Sequence, residues 1–160
     1  MEPRDHLPYL QLAVEVSKRA RAEGNTPFGA ILVDKEGRVL LEQGNIEITE
    51  SNCTGHAETT LMERASAVYD RKFLWDCVMY TTVEPCAMCA GSIYWGNLGT
   101  VVYGISEKRL LEMTGDDEQN PTLDLPCREV FAAGSKPVTV IGPFAEIEEA
   151  VVAVHEGYWS

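Results

Sequence analysis

The sequence predicts an α/β domain of three layers, α/β/α, built around a mixed sheet of five strands. Three observations predict it. Short apolar runs alternate with segments of helical apolar spacing, the pattern of strands covered by helices. The first two runs are joined by a tight turn and form an antiparallel hairpin, whereas the later ones are separated by helical segments. The chain has 160 residues, 45% of them apolar, which suffices for a single domain (1–160) with one real core.

The elements follow in order. Leu10, Ala13, Val14, Val16 and Ser17 lie on one helical face, and Gly24 ends that helix, predicted at 8–23. Phe28 to Val33 and Val39 to Leu41 are the strands of a hairpin that turns at Gly37. Residues 46–55 are a polar loop, and helical spacing returns from His56 to Val68 through Ala57, Leu61 and Ala65. Asp76 to Thr82 is strand-like, and Pro85 suits a first helical position, so a short helix is predicted from Cys86 to Tyr94. Thr100 to Tyr103 is a strand, Glu107 to Met113 a short helix, and Gly115 to Pro126 a loop. Val138 to Ile141 completes the sheet, and Phe144 to His155 is the last helix.

Charge narrows the partners. Thirteen Lys and Arg against 25 Asp and Glu give a formal net charge of −12, which repels phosphate backbones and anionic membranes. Nucleic acid is therefore an unexpected partner. The N-terminus has no apolar leader segment, and no window reaches the length of a membrane span. Five cysteines, two of them in a Cys86–Cys89 pair, fit a reducing cytoplasm with some thiols ligating metal. Cys53, Cys77 and Cys127 are expected to be small buried fillers, and His6 and His155 surface residues.

Two motifs carry chemistry: His56-Ala57-Glu58 and, 30 residues after His56, Cys86-Ala87-Met88-Cys89. Cysteines three apart at a helix start present both sulfurs to one ion, and the helix dipole favours their thiolates. One imidazole gives a third ligand, and an open fourth position is the catalytic rather than the structural zinc pattern. Glu58 is placed to carry a proton from water to a leaving amine, as in the H-x-E…P-C-x-x-C signature of zinc nucleobase deaminases. The plain alternative is a closed zinc knot with a fourth ligand from Cys53 or Cys127.

On these motifs the chain resembles the cytidine-deaminase-like superfamily, from the first helix to at least Asp117. Within it, the stretches Pro27-Phe28-Gly29-Ala30 and Glu84-Pro85-Cys86 through Ile93-Tyr94-Trp95 resemble bacterial guanine deaminases, as does Asn45, 11 residues before His56. The pair Asp116-Asp117 falls on an Asp-Asp of that family. The resemblance implies one zinc ion per chain held by His56, Cys86 and Cys89. It implies that Phe28 and Trp95 sandwich the base, Asn45 bonds its edge, and Ala57 lies among the substrate contacts. Asp117 would assist Glu58 in proton transfer, and Tyr158 or Trp159 would reach the site. The implied reaction converts guanine to xanthine and ammonia, with cytosine, a nucleoside, or an aminotriazine or pterin as alternatives. A homodimer is expected. Thr114-Gly115 departs from the family pattern, and residues 118–137 match nothing in it. Two other classes remain: a tRNA adenosine deaminase, which calls for a basic surface, and a zinc-stabilised interaction module without catalysis.

Overall fold

The computed structural model describes residues 4–115 and 117–159. The elements run α1 (Leu7–Ala22), β1 (Gly29–Val33), β2 (Val39–Gly44), α2 (Ala57–Val68), α3 (Arg71–Trp75) and β3 (Val78–Val83). They continue through α4 (Ala87–Trp95), β4 (Thr100–Ile105), α5 (Glu107–Thr114), α6 (Cys127–Ala132), β5 (Thr139–Ile141) and α7 (Ala145–His155). The sheet is five-stranded and mixed, in the order β2-β1-β3-β4-β5. β1 pairs antiparallel with β2 and β3, and β4 pairs parallel with β3 and β5.

Alternation along the central strands builds two core layers. Ala30, Leu32, Met79, Val101 and Tyr103 face α2, α4 and α6, where Leu61, Ala65, Ile93 and Phe131 meet them. Ile31, Val33, Tyr80 and Val102 face the other way, against Leu10, Val14, Leu110, Ile147 and Val151 of α1, α5 and α7. Helix α1 buries the apolar residues its spacing marks and ends where Gly24 takes φ +102°. Gly29 lets α1 lie directly on β1, since a Cβ there would stand 2.5 Å from the Ser17 nitrogen and 2.6 Å from the Ala13 oxygen.

The structure differs from the sequence expectation in several places. Helix α3 is a single turn, capped by the Asp70 carboxylate, which accepts the Phe73 N–H at 2.8 Å. Helix α6 lies where no element was expected. Both are too short to show a helical period. Helix α4 begins at Ala87, with Cys86 as its N-cap and Pro85 outside it. Cys53 is exposed while Cys77 and Cys127 are buried. His155 is buried rather than on the surface, because Trp159 folds back and donates its Nε1–H to His155 Nδ1 at 3.0 Å. Among the described residues, no helix is long and apolar enough to cross a membrane.

Candidate active site

A cavity of about 290 Å³ opens at the carboxyl ends of the parallel strands β3 and β4, the usual ligand position in such sheets. Val83, Glu84 and Cys86 reach it from the end of β3, and Glu107 and Leu110 from the helix after β4. Phe28, Asn45, Glu47 and His56 form another part of the wall, and residues 119–123 another.

His56 and Cys86 are the N-caps of α2 and α4, and neither caps its helix with its side chain. Both side chains serve the cavity instead. The positive ends of the two helices flank the thiols, which favours their ionised form. His56 Nδ1 lies 3.6 Å from the sulfurs of both Cys86 and Cys89, and all three ligand atoms lie within 4.8 Å of one another. Tetrahedral zinc, with Zn–S near 2.3 Å and Zn–N near 2.0–2.1 Å, sets nitrogen and sulfur about 3.6 Å apart. The donor set and its spacing fit zinc.

Partners around the ligands orient them. Thr59 donates its hydroxyl to the Cys89 sulfur at 3.2 Å. Glu47 places Oε1 3.6 Å from His56 Nε2, and the Asn45 amide donates to that same oxygen at 2.7 Å. Asn45 Oδ1 accepts the Glu47 N–H at 2.9 Å, so Asn45 and Glu47 form one unit on the wall.

Charge is crowded in this space. A hydrogen bond to Cys86 raises the His56 imidazole to about 9 against the opposing effect of burial, helped by the charges of Cys86, Glu58 and Glu47. Cys86 is held well below the usual thiol value by the hydrogen bond from Cys89 and by His56. Cys89 is raised, since losing its proton would break that bond and bury a second thiolate. Glu58, only 7% exposed, is pushed up to about 7 by burial and then by the Cys86 thiolate. A cation bound by the three ligands acts in the opposite direction on Glu58.

Phe28, Asn45, His56, Glu58 and Cys86 therefore meet in one cavity, with Cys89 buried beside it as the third metal-ligand candidate. Other expected site residues stand elsewhere. Trp95 does not line the cavity: it is 76% exposed at the far end of α4, about 13 Å along the helix from Cys86 at 1.5 Å rise per residue. The Ala57 side chain is buried in the core below α2. Asp117 shapes the loop rather than the cavity wall: its Oδ1 accepts the Gln119 N–H at 2.8 Å and its own N–H donates to the Thr114 carbonyl at 3.0 Å. Asp116 lies outside the described residues. Tyr158 donates its hydroxyl to Gln119 Oε1 at 3.0 Å, and the Trp159 ring lies 6.2 Å from that of Phe28. Both aromatics back the wall without forming it.

Sequence reading missed Glu47, Glu84, Glu107 and Gln119. Glu84 is a buried tie: Oε1 accepts the Glu107 N–H at 3.0 Å and Oε2 the Cys127 N–H at 2.8 Å, fixing the starts of α5 and α6. The available signal was positional, since Glu84 and Glu107 each follow a strand of the parallel pair.

Residues 3–105 match the cytidine and deoxycytidylate deaminase zinc-binding region. A probable cytosine deaminase of Schizosaccharomyces pombe is 37% identical over 153 residues, covering 96% of this chain and 91% of that protein. The guanine deaminase of Bacillus subtilis is 36% identical over 114 residues, covering 71% of this chain and 72% of its own. The structure of guanine deaminase from Nitrosomonas europaea superposes with a TM-score of 0.76 at 20% identity, over 97% of this chain and 87% of that one, a likeness of fold.

Proposed function

The chain belongs to the cytidine and deoxycytidylate deaminase zinc-binding family, and on that premise we propose that it deaminates a free, uncharged nucleobase by hydrolysis, with cytosine ahead of guanine. The observation that carries the reading is the composition of the cavity wall. A buried carboxyl group, Glu58, faces the same space as His56 and Cys86, beside one aromatic face and several amides. Among the described residues, no Lys or Arg lines this space, which favours an uncharged ring over a phosphorylated one.

His56, Cys86 and Cys89 would hold the zinc. When bound, it supplies Lewis acidity, bringing the pKa of water at its open position down to about 7. The chain's own residues do the rest. Phe28 offers its face to the ring, and Asn45, steadied by Glu47, bonds the ring edge. Glu58 takes a proton from water and passes it to the departing nitrogen, so that a C–O bond forms, the C–N bond breaks and ammonia leaves.

Guanine is the base to which the motif stretches point, and the Bacillus subtilis relative supports it. Two observations support cytosine ahead of it. The Schizosaccharomyces pombe likeness spans 153 residues, leaving little of the cavity wall outside it, and Trp95, the second face of the purine sandwich, is away from the cavity. A homodimer and a cytoplasmic location belong to the same reading, supported by the exposed apolar Val68, Phe73 and Trp95 and by five free thiols.

The test is ammonia release from cytosine, guanine, cytidine, guanosine, aminotriazines and a tRNA substrate, with the purified protein's mass in solution measured alongside. Turnover of cytosine, with guanine slower, is the expected result. Silence on every free base, or inosine formation in tRNA alone, overturns the reading.

A further inference from the structure

Four glutamates line the cavity, and three of them have an evident task. Glu47 is bonded by Asn45 beside His56, Glu58 stands at the start of α2 as the proton carrier, and Glu84 ties the starts of α5 and α6. Glu107 has none. Its backbone N–H is held by Glu84 and the residue is 5% exposed. Its carboxyl oxygens have no hydrogen-bond or ion-pair partner among the described residues.

A buried carboxyl group without a partner is costly, and a protein that keeps one facing a cavity gives it a ligand group to bind. Glu107 lines the same cavity as Glu58, His56 and Cys86. Helix α5 begins at Glu107, so the Glu84 bond to its backbone fixes where the side chain starts.

Resting on the free-base reading above, we propose that Glu107 is a specificity-determining residue whose carboxyl group accepts the ring N–H that a nucleoside would replace by its sugar bond. The exocyclic amine leaves at Glu58 and the metal ligands, so it is spoken for. What a free base still offers an acceptor is a ring N–H, and that hydrogen is lost when ribose is attached at the same nitrogen. Glu107 thereby makes the cavity choose base over nucleoside. Burial, and then the nearby charges of Cys86, Glu58 and Glu84, push Glu107 up to about 8, so near neutral pH the carboxyl group is mostly uncharged and its carbonyl oxygen is the acceptor.

The experiment compares kcat and KM for cytosine with cytidine, and guanine with guanosine, in the zinc-loaded wild type, Glu107→Ala and Glu107→Gln. Zinc content and circular dichroism confirm that each site is intact. Glu107→Ala is expected to raise KM for the base roughly 3- to 10-fold, the worth of a hydrogen bond to an uncharged acceptor, with kcat changed little. The base-to-nucleoside preference falls by the same factor. Glu107→Gln, whose Oε still accepts, recovers most of the loss. A Glu107→Ala enzyme with unaltered base-to-nucleoside preference overturns the proposal while leaving the activity standing, as does a Gln variant no better than Ala. A wild type that turns over no base at all removes the functional reading, and this proposal with it.

Discussion

Glu58→Gln is expected to lower kcat roughly 10²- to 10⁴-fold, the range lost with a positioned general acid–base group, while KM for the base and bound zinc stay near wild type. Glutamine matches the shape of the side chain and keeps an acceptor and a donor, but it carries no proton from water to the leaving amine. Glu58 suits the exchange because α2 starts at Ala57, which sets Glu58 in the first turn, two residues from His56 and in the same cavity. The substitution also tests stability. Burial disfavours the Glu58 carboxylate, so a neutral isostere is not expected to lower the thermal unfolding midpoint. Steady-state ammonia release, zinc analysis and thermal unfolding on the same preparation separate these effects. A variant within tenfold of wild-type kcat, with zinc retained, would place the proton carrier elsewhere and return weight to a zinc-stabilised module without catalysis.

The fold was legible because its signals are local. The Asp34–Gly37 turn of the hairpin, the apolar face of α1 and the βα alternation each need only a few neighbouring residues, and each appears as expected. The metal ligands were legible for the same reason, since His56, Cys86 and Cys89 sit at helix starts whose approach the motif spacing implies. The wall of the cavity was not. Glu107 reads in sequence as an acidic residue in the first turn of a helix, where it ordinarily complements the dipole. Only the parallel pairing of β3 with β4 brings it to the space that holds Glu58. Trp95 failed in the opposite way: its place in a motif suggested a contact, but a helix that starts at the site carries its ninth residue away from it. Tyr158 and Trp159 show the intermediate case, held to Gln119 and His155 by bonds spanning 39 and 4 residues. The second is visible as local spacing and the first is not.

Cys86→Ala is expected to release the zinc and reduce turnover by more than about 99%, because water without the metal is far too weak an acid to ionise near neutral pH. The protein is nevertheless expected to remain folded. None of His56, Cys86 and Cys89 belongs to either core cluster, and Cys86 contributes no side-chain cap to α4 that alanine would remove. Cys89→Ala is the poorer choice, since it empties a buried position and strands the Thr59 hydroxyl. The charge arrangement makes a sharper prediction for the wild type. At pH 7 the metal-free site holds a protonated His56, raised to about 9, an ionised Cys86 and a protonated Cys89. Zinc needs all three deprotonated, so binding should release two protons, one from His56 and one from Cys89. Affinity should therefore rise with pH, steeply up to about 9 where His56 titrates and less steeply beyond it, where Cys89 alone still has a proton to lose. Calorimetry of zinc binding in buffers of different ionisation enthalpy counts those protons directly, and a count of zero would refute this description of the empty site. A Cys86→Ala protein that kept one tightly bound zinc per chain would refute the ligand set itself.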